Sequence, residues 1–149
     1  MRKQVLPRVT MLGFLLALAA VSVHAQSGAT ITATIPFDFT VGETSLRAGK
    51  YTIRPVSHAL FIQSKDVKSG AVRMELPIET NRASKDTKLV FHRYGELYFL
   101  SDVWTAGDAS GRRLYKSRQE HAIEKEWAHP SKREAQAGCE RVEIIGSLQ

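Results

Sequence analysis

Lys88-Leu-Val-Phe-His-Arg-Tyr-Gly-Glu-Leu-Tyr-Phe-Leu100 is the stretch that decides how this chain folds. Two runs of aliphatic and aromatic residues flank one glycine, the pattern of two antiparallel strands joined by a tight turn. With Tyr94-Gly95 as the turn residues, Arg93 opposes Glu96, His92 opposes Leu97 and Val90 opposes Phe99. One face then carries Leu89, Phe91, Tyr98 and Leu100, and the other Val90, His92, Leu97 and Phe99. Both faces are apolar, so both must be covered.

Upstream, the same alternation recurs in shorter runs. From Ala29 to Val41, Ile31, Ala33, Ile35, Phe37, Phe39 and Val41 share one face, with threonines and Asp38 on the other. Pro36 lacks an N–H, which places this strand at an edge, bulges it or splits it there. After Gly42-Glu43, Tyr51 and Ile53 point inward, and from His58 to Ser64 the inward pair is Leu60 and Ile62, opposite Phe61. From Ala71 to Thr80, Val72, Met74, Leu76 and Ile78 oppose Arg73, Glu75 and Glu79, which predicts an apolar inner face and a wet, charged outer one. Residues 81–86 are a charged loop.

Downstream lies a candidate cover. Ser117-Arg-Gln-Glu120 is a capping-box pattern, with Ala122, Ile123 and Trp127 in a narrow helical stripe and Pro130 as a stop. Ser131-Lys-Arg-Glu134 repeats the signature, extending the helical segment to about residue 137. If Trp127 fills the hairpin's second face, its loss is expected to cost about 3 kcal/mol. Arg112-Arg113 with Lys116 and Arg118, the densest basic cluster, reads as a solvated loop entering this helix, and Val142 and Ile144 allow a last strand over Arg141–Ile145. The predicted fold is mainly β, a single antiparallel β-sandwich or barrel-like domain over about 29–105 with a C-terminal helix.

Residues 1–25 read as a secretory signal peptide. Arg2, Lys3 and Arg8 precede the apolar run Met11–Val21, and Val23-His24-Ala25 supplies the cleavage positions, with Gln26 as the new N-terminus. Eleven apolar residues fall short of the ~20 that span a bilayer, so no stable membrane span is expected after cleavage. The expected organisation is therefore a signal at 1–25 and one β-rich domain at 26–149, periplasmic or extracellular. The whole chain has 149 residues and a net charge of +6; taking away the leader leaves 124 residues, 18 bases and 15 acids, a net +3. That is too weak and dispersed a charge to imply nucleic acid. Cys139 is the sole cysteine and excludes an intrachain disulfide; it is read as a plain thiol near the C-terminus rather than a nucleophile.

Phe37-Asp38-Phe39-Thr40-Val41-Gly42, then Leu46-x-Ala48-Gly49-x-Tyr51-x-Ile53, Lys88–Gly95, Tyr98–Ser101 and Lys116-Ser117-Arg118 form a set of blocks. Together they resemble an uncharacterised family of small exported bacterial β-rich proteins, over roughly residues 33–120. The resemblance implies a shared β-rich fold and export. It implies no activity and supplies no functional residues.

Chemistry is sparse. After the leader, His58, His92, His121 and His129 are scattered, and His121 and His129 are too far apart to share a metal on one helical face, so no metal or cofactor is expected. His92, mid-hairpin among aromatics, is the one residue where a general base is conceivable; a hydrogen-bonded structural histidine is the default. No Gly-x-Ser-x-Gly elbow is present, and Gly49-Lys50 lacks the spacing of a phosphate loop. The leading expectation is an exported, non-catalytic domain with a binding or structural role toward an envelope component. A small-molecule carrier with an apolar cavity is the alternative, and a small hydrolase-type enzyme the third. A packed interior with an exposed apolar patch would favour the first, and an internal cavity the second. The candidate contact residues are Arg93 and Tyr94 at the hairpin turn and Arg112-Arg113, because loops of a sheet scaffold carry contacts more readily than strands.

Overall fold

The structure, a computed structural model, describes residues 29–128 and 139–149. The expected leader with Ala25 and Gln26, and the second helical turn beginning at Ser131, lie outside the described residues. Among the described residues the fold is mostly β with one short helix. Its elements are β1 (Ile31–Ile35), β2 (Phe39–Val41), β3 (Thr44–Leu46), β4 (Gly49–Val56), β5 (Ala59–Ser64), β6 (Gly70–Glu79), β7 (Lys88–Tyr94), β8 (Leu97–Trp104), β9 (Ser110–Leu114), α1 (Arg118–Trp127), β10 (Glu140–Ile145) and β11 (Ser147–Leu148).

The eleven strands form one mixed sheet, hydrogen-bonded in the order β10-β7-β8-β9-β6-β5-β4-β1-β11, with the β2–β3 hairpin joined to it at β8. That last contact, Thr40 opposite Phe99, is parallel; the remaining pairs are antiparallel. Two segments, β6 and the β10–β11 run, span the architecture. The first half of β6 pairs with β5 and its second half with β9. β10 lies on β7 while β11, one residue later, lies on β1. Gly146 makes that corner, where a Cβ would come within 2.9 Å of the Ile31 side chain.

The apolar alternation holds in most strands. Pro36 splits the first run into β1 and β2, and Ile31, Ala33, Ile35, Phe39 and Val41 are all buried. Tyr51, Ile53, Leu60, Ile62, Leu89, Phe91, Leu100 and Val103 complete the same core. Phe91 stands at its centre, edge-on to Phe37 at 5.2 Å and to Phe39 at 5.5 Å, and Phe37 stacks on Tyr98 at 3.9 Å. Val142 and Ile144 of β10 pack against this cluster from opposite Phe91 and Leu89.

Four expectations are corrected. The hairpin turn is Gly95-Glu96 rather than Tyr94-Gly95, so Tyr94 opposes Leu97 and His92 opposes Phe99. Gly95 takes φ 63°, a conformation that would strain Tyr94 in the same role. The two faces are kept by this shift, and a bulge between Val90 and Phe91 brings Val103, opposite Leu89, onto the same core face as Leu100.

In β6 the phase is reversed. Leu60 and Ile62 are buried, and they oppose Arg73 and Ala71, so the odd-numbered residues of β6 turn inward. Val72 and Met74 stand 58% exposed, and Glu75, expected on the wet face, is 7% exposed. A register shift of one residue exchanges the faces of a whole strand, and here the β5–β6 hairpin sets it.

Residues 110–114, expected to be loop, form β9. Its arginines are accommodated because each meets a buried acid, Arg112 with Glu75 on one face and Arg113 with Asp102 on the other. Gly111 leaves room for the Trp104 ring, 2.6 Å from where a Cβ would stand.

The serine half of the capping box forms: the Glu120 N–H donates to Ser117 Oγ at 3.0 Å, and Glu43 accepts the Arg118 N–H, while the Glu120 carboxylate meets His92 at 2.8 Å. Yet Ala122 is exposed and Ile123 and Trp127 only half-buried, while Glu120 is the buried member of α1. The cover is thus polar at its start and aromatic at its end.

Candidate functional site

Of the four contact residues read from the sequence, none stands free. Arg93 donates to the Gly95 carbonyl at 2.8 Å and to Glu140 at 3.1 Å, and lies over the Tyr98 ring. Tyr94 is buried, edge-on to Phe99 and to Trp127. Burial, reinforced by the neighbouring Cys139 thiol, pushes its phenol above the usual tyrosine range. Arg112 and Arg113 pair with Glu75 and Asp102, and the Asp102 carboxylate raises the Arg113 pKa further. The two groups do not converge. Leu97, opposite Tyr94, and Asp102, opposite Arg113, are five residues apart on β8, roughly 16 Å.

His92 lies under α1. Its Nδ1 is 2.8 Å from Glu120 Oε1, and the Glu120 side chain is 4% exposed. A carboxylate holding an imidazole is the orienting half of a catalytic triad, but it is equally the way a helix is pinned to a sheet. Ser117 spends its hydroxyl on the helix cap, and the adjoining Tyr94 ring is packed between Phe99 and Trp127. The pair therefore fastens α1 to β7. Among the described residues no cluster of three His, Cys, Asp or Glu could hold a metal ion.

The surface of the described residues includes two recesses. One, of about 210 Å³, has a floor of Ile31, Ile53, Leu60 and Val103 and a rim that includes Asp108 and Arg112. Asp108 is held below the usual carboxylate range by the N–H and hydroxyl of Ser110, with Arg112 adding to it. The guanidinium of Arg112 is anchored to Glu75, whose second oxygen is buried without a partner. The other recess, about 320 Å³, is an open groove between Asp38–Thr40 and Glu96–Tyr98.

The largest departure from ordinary surface chemistry is the outer face of β4, β5 and β6. Register places Arg54, Phe61 and Val72 in one row across the three strands, and Val56, Ala59 and Met74 in the next. Tyr115 extends the second row, its N–H donating to the Met74 carbonyl, and Leu76 opposes Arg113 in a third. Val56, Phe61, Val72, Met74, Leu76 and Tyr115 are all exposed. Sequence reasoning missed this face because it assigned the apolar set of β6 to the core; the signal that locates it is the pairing of β6 with the unambiguous Leu60 and Ile62 of β5.

No helix among the described residues is long and apolar enough to cross a membrane. Comparison with known proteins gives no relative: no family model, no curated protein and no solved structure matches the chain, so the resemblance noted above rests on its sequence blocks alone.

Proposed function

We propose that this protein is an exported, non-catalytic docking domain that engages an envelope component through the outer face of β4–β6. The observation that carries this reading is the inverted β6: Arg73 and Glu75 turn inward while Val72 and Met74 stand 58% exposed beside Phe61 and Tyr115. Contiguous exposed apolar surface on a soluble domain marks a contact site more often than chance exposure. The charged leader and Val23-His24-Ala25 support export, with a mature chain beginning at Gln26.

The test is fractionation of a bacterial host expressing the full chain. The exported protein is expected with the envelope, and Met74→Asp is expected to release it without change in its circular dichroism. An unchanged distribution overturns docking through this face; recovery of the protein starting at Met1 from the cytoplasm overturns export.

The carrier reading has one observation in its favour, the apolar floor of the 210 Å³ recess. Pockets for drug-sized ligands run to about 300–1,000 Å³, so only a small molecule would fit. For the enzyme reading, the His92–Glu120 pair is the residue set to challenge. Turnover of a hydrolase substrate abolished by His92→Gln with the fold intact would establish it.

A further inference from the structure

We infer that the component met by this face is a lipid surface bearing anionic headgroups, with the β5–β6 hairpin tip as the first point of contact. This rests on the docking reading and adds the chemistry of the occupant. The tip is Lys65-Asp66-Val67-Lys68-Ser69. Val67 is 58% exposed and stands between two exposed lysines. The one acid of the tip is turned back onto the sheet, where Asp66 Oδ2 accepts the Lys50 N–H at 3.1 Å. Its own N–H donates to Ser64 Oγ at 3.2 Å, so the loop is held in shape rather than left free to fold over Val67.

The charge pattern continues along the strands. The outward positions of β4 carry Lys50 and Arg54, those of β5 carry Gln63 and Phe61, and those of β6 carry Val72, Met74 and Leu76. Among the described residues, none of the outward positions on these three strands is acidic. An apolar band with cations at its border and no acid is complementary to the headgroup boundary of an anionic bilayer. Aliphatic and aromatic side chains enter the acyl edge there, and lysine stems lie along it with their ammonium groups at the phosphates. A second copy of the chain is a poor occupant, because a face-to-face pair would set Arg54 and the tip lysines against their own kind, and the one acid of the tip, Asp66, is engaged with the Lys50 N–H.

The experiment is co-sedimentation of the purified exported chain with vesicles of phosphatidylcholine alone and of phosphatidylcholine mixed with phosphatidylglycerol. Binding is expected to the mixed vesicles only, and to weaken as salt rises. Lys65→Gln and Lys68→Gln should each lower the affinity about fivefold. Val67→Asp should abolish binding, and Leu97→Asp, at an exposed apolar site away from this face, should leave it unchanged. Absence of binding to the mixed vesicles at low salt overturns the inference, as does equal binding by Val67→Asp. Concentration-dependent dimerisation that Met74→Asp removes also overturns it, and makes the face a self-interface. If vesicle binding fails while Met74→Asp still releases the protein from the host envelope, the lipid assignment falls and the docking reading stands. If both fail, both fall.

Discussion

The outer surface of the sheet is apolar in two places, and they have been treated differently. Over β7 and β8, Val90, Tyr94 and Phe99 are 0%, 3% and 2% exposed, with α1 fastened nearby by Glu120 and Trp127. Over β4–β6, Val72 and Met74 remain 58% exposed, and no element of the described chain covers them. The chemistry of the two sets is similar, so the difference lies in where the cover comes from. In the first region the described chain supplies it; in the second, none of the described residues does, and the apolar face stands exposed.

The sharpest form of this contrast is a pair of truncations. Phe99→Ala should cost about 4 kcal/mol, because it empties a fully covered site. Met74→Ala should change stability by no more than about 0.5 kcal/mol, because its side chain is already in water. Urea unfolding midpoints of the two variants decide it. A comparable loss in both would mean that the β4–β6 face is covered in the free protein.

Next in size is the attachment of the cover. Glu120→Ala should cost about 2 kcal/mol, since it removes the buried carboxylate that holds His92. Trp127→Ala should cost only about 1–2 kcal/mol, less than the 3 expected for a filled pocket, because the ring is half-buried and meets Tyr94 edge-on at 5.7 Å. In both variants, limited proteolysis should cut first within Arg118–Trp127. Preferential cutting elsewhere would show that α1 is not the weak link of the covered face.

Which of these features the sequence disclosed depends on how local their causes are. The hairpin faces, the split at Pro36, the Ser117 cap of α1 and the strand through Val142 and Ile144 follow from neighbouring residues, and they were legible. The phase of β6 and the existence of β9 were not. Arg73 is taken up by the carbonyls of Tyr115 and Lys116, and Glu75 by Arg112, partners about forty residues distant that no local pattern reveals. Counting apolar residues put Val72 and Met74 inside; the fixed register against Leu60 and Ile62 put them outside. The candidate site was misplaced for the same reason. Arginines with no visible partner look like a contact surface, whereas Arg112 and Arg113 each turn out to neutralise an acid buried in the sheet.

The smallest effect concerns pH and separates the cover from the sheet it covers. Lys116 holds Glu124 of α1 at 2.6 Å, and Lys88 of β7 holds Glu143 of β10 at 2.8 Å. In both cases the ammonium partner lowers the carboxyl below its usual value of 4.5. A lowered folded-state pKa favours the native state above the unfolded value, and that contribution disappears as pH falls through the folded one. Stability should therefore hold down to about pH 4.5 and decline below it. Both carboxylates are more than a third exposed, so water screens each pair and its share is about 0.3–0.5 kcal/mol. Glu124→Gln should remove part of the acid sensitivity of proteolysis within α1 and leave exchange of the β7 and β10 amides unaffected. Glu143→Gln should do the reverse. If either variant altered both regions equally, the helix and the sheet beneath it would be one cooperative unit, and the cover could no longer be counted as a separate addition to the β-domain.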